Sequence, residues 1–157
     1  MLLLATILSL FPVDRLGRRA LLLGGIVGMT FTLTAMGVVF ATDPTHAGPF
    51  ILICLLLYIL SFAIGMGPVF WLMSSELFPN RLRATGASIC SLCNWSANLL
   101  VSITFLSLID FAGKPATFWI YAVLAVAAFI FSRSFVPETN GKRLEQIEAY
   151  WKSGGHW

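Results

Sequence analysis

Four stretches of this chain, 20–42, 44–75, 84–109 and 115–132, contain no Asp, Glu, Lys or Arg. A helix needs roughly 20 mostly apolar residues, at about 1.5 Å each, to cross about 30 Å of hydrocarbon. Each stretch meets that length, or nearly so once its ends are extended. A soluble core can bury one such helix, but not four of four. Composition agrees: 58% of the 157 residues are hydrophobic and 11% charged, where a soluble domain carries roughly 25% charged residues. The chain reads as an all-α membrane protein whose solvent is the lipid bilayer.

The pattern predicts helix A over 20–41, helix B over 49–73, helix C over 85–109 and helix D over 116–136, with an outer turn over 110–115. Residues 1–12, MLLLATILSLFP, are apolar, but twelve residues of helix cover only about 18 Å. Basic residues follow this stretch instead of preceding it, the reverse of a secretory signal. It reads as the cytoplasmic end of a helix whose beginning is absent, so the chain is expected to be a fragment or a truncated reading frame. The expectation is four complete transmembrane helices plus one partial helix over residues 1–136, followed by a cytoplasmic tail, 137–157. In the tail, Leu144, Ile147, Glu148 and Trp151 have helical spacing beside charged neighbours, as in an amphipathic surface helix.

The net charge of +3 does not mark a nucleic-acid partner. Basic residues gather in three places: Arg15, Arg18 and Arg19; Arg81 and Arg83; and Arg133, Lys142, Arg143 and Lys152. With helices of alternating direction these share one side, which the positive-inside bias makes the cytoplasm. Cys54, Cys90 and Cys93 lie within apolar runs, and with no His nearby they read as small packing residues, not ligands.

Two spans carry features that packing alone does not demand. In helix B, Pro68 lacks an N–H and crowds the preceding turn, while Gly65 and Gly67 add freedom. A helix break at membrane depth survives only against protein or a water-filled cavity, and such breaks mark transporter binding sites. A simple proline kink is the plainer alternative. Trp71 reads either as an interfacial residue or as a flat face with an N–H donor for a polar ligand. In helix C, Ser91, Asn94, Asn98 and Ser102 fall within a narrow arc, with Ser88 near its edge. Two amides four residues apart offer the donors and acceptors that an uncharged polyol requires. The same stripe also fits interhelical hydrogen bonding, and both readings stay open. Helix A places Gly24 and Gly28 at the G-x-x-x-G spacing that admits a close neighbour. No ionisable residue sits mid-span, so these spans hold no proton carrier and favour a neutral substrate. No metal triad, Ser/His pair or paired carboxylates occur within a span, so the chain is not expected to be an enzyme, and no cofactor is expected. At the helix ends, Asp14, Glu76 and Glu138 are interspersed among the arginines, an arrangement suited to an ionic latch.

Five motifs carry a resemblance: D-R-x-G-R-R (14–19), G-P-x-x-W (67–71), E-x-F-P-x-x-x-R (76–83), N-W (94–95) and P-E-T-x-G-K (137–142). In this order and spacing they resemble the sugar porters of the major facilitator superfamily, from the end of the eighth helix to the tail. The resemblance implies a partial major-facilitator fold and alternating access, with a hexose or pentose bound between two halves. It places Phe62, Gly67 and Trp71 of the tenth helix at the sugar, with Asn94 of the eleventh beside them. Asn98, on the face of Asn94, is a further expected contact. It assigns Arg15, Arg18, Arg19, Glu76, Arg83 and Glu138 to a cytoplasmic gate network that Asp14 joins. Expected partners are a sugar, the bilayer and the missing N-terminal half, in the plasma (inner) membrane, with proton symport and facilitated diffusion both open for the full-length protein. The rival expectation is a non-transporting membrane interaction or sensor protein derived from a truncated transporter.

Overall fold

The computed structural model describes residues 17–42, 48–76, 78 and 83–136, without the side chains of 68 and 74–76. Residues 1–12, Asp14, Arg15, the loop 43–47, Arg81 and the tail, including Glu138, lie outside the described residues. Among the described residues four helices follow one another: α1 (Arg18–Thr42), α2 (Gly48–Ile64), α3 (Met66–Glu76) and α4 (Arg83–Phe135). At 25 residues α1 is about 38 Å long, enough to span.

The second span is not one rod. Helix α2 ends at Ile64 and α3 begins at Met66, so the interruption falls at Gly65 and not at the Gly67–Pro68 pair. The cause lies in the hydrogen-bond ladder: Pro68 has no N–H to donate, and the carbonyl four residues earlier belongs to Ile64.

With 53 residues, α4 would measure about 80 Å if straight, far beyond one bilayer. It is divided at Gly113, whose φ of 79° and ψ of 164° are non-helical. Phe105 lies 6.3 Å from Phe118 and 6.0 Å from Tyr121, ring centre to ring centre. Residues so far apart in sequence meet only if the chain doubles back, so α4 is an antiparallel pair of limbs. The expected turn over 110–115 shrinks to a single non-helical residue. Pro115 sits in the first turn of the second limb, where its missing donor is harmless.

Helix α1 is the central element and packs on every other helix. Near its arginine-bearing end, Leu21, Leu22, Ile26 and Met29 form a core with Val69 and Met73 of α3, against which Tyr58, Phe129 and Val136 pack. At its other end Phe40 stacks on Phe118 of the second limb at 5.3 Å, with Lys114 Nζ 5.6 Å above the Phe40 ring. Helices α2 and α4 scarcely touch one another.

The glycines at the α1–α2 crossing are Gly25 and Gly28, not Gly24 and Gly28. A Cβ on Gly25 would lie 2.8 Å from Gly65 Cα, and one on Gly28 would lie 2.9 Å from Ser61 Cβ, whereas Gly24 faces open space. The i,i+4 spacing identified a close crossing, but the register of the partner selects i,i+3.

The outer surface is apolar. Phe31, Leu92, Leu106 and Phe111 are all more than two-thirds exposed. Water would penalise such a surface, while lipid tails would not. Hydroxyls behave accordingly: Thr30, Thr34, Ser61, Ser88, Ser91 and Thr104 each donate to the carbonyl four residues back. Buried Thr32 donates to both Gly28 and Met29 carbonyls, at 3.0 and 2.9 Å.

Candidate functional site

Phe62 closes the last turn of α2 and Gly67 opens the first turn of α3. A Cβ on Gly67 would stand 3.5 Å from Phe62 Cε1, so the ring lies against this glycine across the interruption. Neighbours on a regular helix are three or four residues apart, not five. The interruption at Gly65 lies between the two and lets them meet. Phe62 and Trp71 are each a little under half exposed, and Trp71 packs edge-on against Phe70 at 5.3 Å and 79°.

On the first limb of α4, Asn94 is half-buried and Asn98 exposed. They are joined, but not as two free amides: Asn98 Nδ2 donates to the Asn94 backbone carbonyl at 2.9 Å. Asn98 therefore keeps one N–H and its carbonyl oxygen for other partners, and the Asn94 amide is not consumed by that bond. Ser88 and Ser91 likewise commit their protons to the Ala84 and Ala87 carbonyls, at 2.9 and 2.8 Å, and keep only their oxygens as acceptors.

An open groove of about 620 Å³ runs along the same limb beside Ser88, Ser91, Trp95 and Ser96. Asn94 and Asn98 do not line it, and at 100° per residue they sit roughly 100° round the helix from its centre. The groove thus takes in only the serine edge of the polar stripe. Trp95 and Ser96 were not singled out as site residues by sequence; the N-W pair was the available signal.

The structure brings Phe62 and Gly67 together, and Asn94 and Asn98 together. It does not pack α2 on α4, whereas α3, which carries Gly67, does touch α4. Cys54 and Cys90 are half-buried and Cys93 is exposed, so close packing accounts for the first two only.

At the arginine-bearing end, Arg18, Arg19 and Arg83 are half-buried. The Arg19 guanidinium donates to the backbone carbonyl of Arg133 near the C-terminus of the second limb. A helix C-terminus carries partial negative charge, so a cation is favoured there. This contact ties the first described span to the last by a carbonyl. Asp14, Arg15 and Glu138 lie outside the described residues, as does the side chain of Glu76.

A sequence profile for the family described as "Sugar (and other) transporter" matches residues 1–151. The chain belongs to the sugar transporter family. Among its family relatives, the facilitated trehalose transporter Tret1 of Bombyx mori is 39% identical over 156 residues, covering 96% of this chain and 31% of that protein. Tret1 of Aedes aegypti is 37% identical over 150 residues, with 92% and 19% covered. Among solved structures, the inward-open xylose transporter XylE of E. coli superposes with a TM-score of 0.86 at 37% identity, over 96% of this chain and 34% of that one. The proton:xylose symporter XylE bound to 6-bromo-6-deoxy-D-glucose gives the same TM-score at 36% identity. The chain thus has a partial all-α major-facilitator fold and belongs to a family of transporters, not of enzymes. It spans about a third or less of the length of these relatives.

Proposed function

We propose that this chain contributes the sugar-facing helices of the C-terminal part of a sugar transporter that moves a neutral hexose, pentose or related sugar by alternating access. The observation that carries the reading is the superposition of nearly the whole chain on a symporter bound to a glucose derivative. Phe62, Gly67, Trp71, Asn94 and Asn98 are the residues proposed to meet the sugar: an aromatic edge over a glycine on one span, amides on the next. The sugar then lies between these helices and a second half of the transporter. Arg18, Arg19 and Arg83, with Asp14, Arg15, Glu76 and Glu138, are proposed to hold the inner gate. The arginine-bearing end is proposed to face the cytoplasm in a plasma (inner) membrane. Mid-span positions of this chain lack ionisable groups, so any proton coupling comes from elsewhere in the transporter. The relatives are transporters, which favours this reading over a membrane sensor.

The test is equilibrium binding of tritiated D-xylose, D-glucose and trehalose, in lipid nanodiscs, to a XylE chimera whose matching third is replaced by this chain. Saturable binding of at least one, competed by the unlabelled sugar, is expected. Absence of saturable binding for all three would remove the reading for this chain.

A further inference from the structure

We infer that Gly25 of α1 is a positioning residue for Phe62: its backbone contact with Gly65 sets where the second span breaks, and so holds Phe62 against Gly67. The functional half of this inference rests on the sugar-binding reading; the positional half does not.

The contact is reciprocal. A Cβ on Gly65 would lie 2.7 Å from Gly25 Cα and 2.8 Å from the Leu21 carbonyl oxygen. A Cβ on Gly25 would lie 2.8 Å from Gly65 Cα and 2.9 Å from the Ser61 carbonyl oxygen. Ordinary van der Waals contact begins at 3.4 Å, and every atom named is backbone, so no rotamer change relieves the clash. The helices themselves would have to separate. Gly24, one residue earlier, has nothing within 4 Å. The backbone requirement therefore falls on position 25 and not on 24.

The second span is weak at this very level. Pro68 leaves the Ile64 carbonyl without its helical donor, and a helix missing one bond bends where its neighbour allows. Gly65 retains its own bond, N–H to the Ser61 carbonyl at 3.1 Å, so the joint is articulated and not unravelled. Phe62 and Gly67 stand on either side of it. Below the joint, Val69 and Met73 are buried against α1, which fixes α3. A methyl group at 25 would shift the joint against that fixed segment, and Phe62 would move off Gly67.

The experiment compares Gly25→Ala, Gly65→Ala and Gly24→Ala in nanodiscs, with Gly37→Ala as a control for crowding, since a Cβ on Gly37 would strike the Trp119 ring far from the joint. In a background with Cys54, Cys90 and Cys93 replaced by Ala, spin labels at Thr34→Cys and Leu52→Cys report the α1–α2 distance. Gly25→Ala and Gly65→Ala are expected to shift it alike, with no further shift when combined, because both open one contact. Gly24→Ala and Gly37→Ala are expected to leave it unchanged. Sugar affinity of the chimera is expected to fall roughly tenfold in the first pair and not in the second. An unchanged distance in Gly25→Ala overturns the inference, and so does a changed distance with unchanged affinity. If Gly25→Ala does not insert, Gly65→Ala carries the comparison from the partner side. If the unsubstituted chimera binds none of the three sugars, the sugar reading fails by itself. The positioning of Phe62 is then decided by the maleimide labelling rate of Phe62→Cys, which Gly25→Ala must change and Gly24→Ala must not.

Discussion

At the scale of single residues, the backbone imposes the hardest constraint. Gly113 occupies a conformation, φ 79° and ψ 164°, that side chains exclude. Gly113→Ala is expected to cost about 1–3 kcal/mol, seen as a lower thermal transition of the purified protein. Gly37→Ala, which drives a methyl group into the Trp119 ring, should cost a comparable 1–3 kcal/mol or so by overpacking. At the proposed sugar face, Asn94→Ala removes a hydrogen-bonding group worth about 1 kcal/mol, so sugar affinity should fall roughly fivefold. Trp71→Ala should weaken binding further by removing the larger apolar face, with insertion unchanged in both. Residue types were readable in the sequence but their commitments were not. Asn98 looked like a free amide until its bond to the Asn94 carbonyl was seen, because a back-bond depends on a rotamer and not on spacing. Gly24 matched a motif yet faces nothing, because the motif cannot say which side the partner approaches.

At the scale of helices, the four spans were legible because lipid excludes charge from long runs, and their boundaries held to within a few residues. Two details moved. The proline was visible, but its effect surfaces at Ile64, where the missing donor is felt, and the break falls at Gly65. The outer turn was drawn too long, since Asp110 and Pro115 suggested a loop, whereas both fit at helix ends and only Gly113 leaves the helical region. The α1–α2 crossing yields a test of how contact chemistry decides tolerance. Gly28→Ala would meet the Ser61 side chain, while Gly25→Ala would meet backbone. Ser61→Gly is therefore expected to restore the thermal stability of Gly28→Ala and to do nothing for Gly25→Ala; equal rescue of both would refute the distinction.

At the scale of the whole molecule, charge asymmetry carries the orientation. Arg18, Arg19, Arg83 and Arg133 share one end and Asp110 and Lys114 the other. In intact cells, Lys114→Cys is expected to react with a membrane-impermeant maleimide, and Arg133→Cys only after permeabilisation, each in a background free of native cysteines. The reverse pattern would invert the topology. The family resemblance read from five motifs holds across residues 1–151, but the sequence did not reveal that α1 is the hub on which the others lean. That follows from packing of side chains distant in sequence, Phe40 on Phe118 and Ile26 beside Val69. One further consequence comes from the hydroxyls that bond back into their own helices. Because Thr30, Ser61, Ser91 and Thr104 surrender their protons locally, sliding one rod past another ruptures no bond of theirs. At the level of these hydroxyls neighbouring rods meet by close fit and not by stitches, so a small rocking displacement meets little enthalpic friction from them.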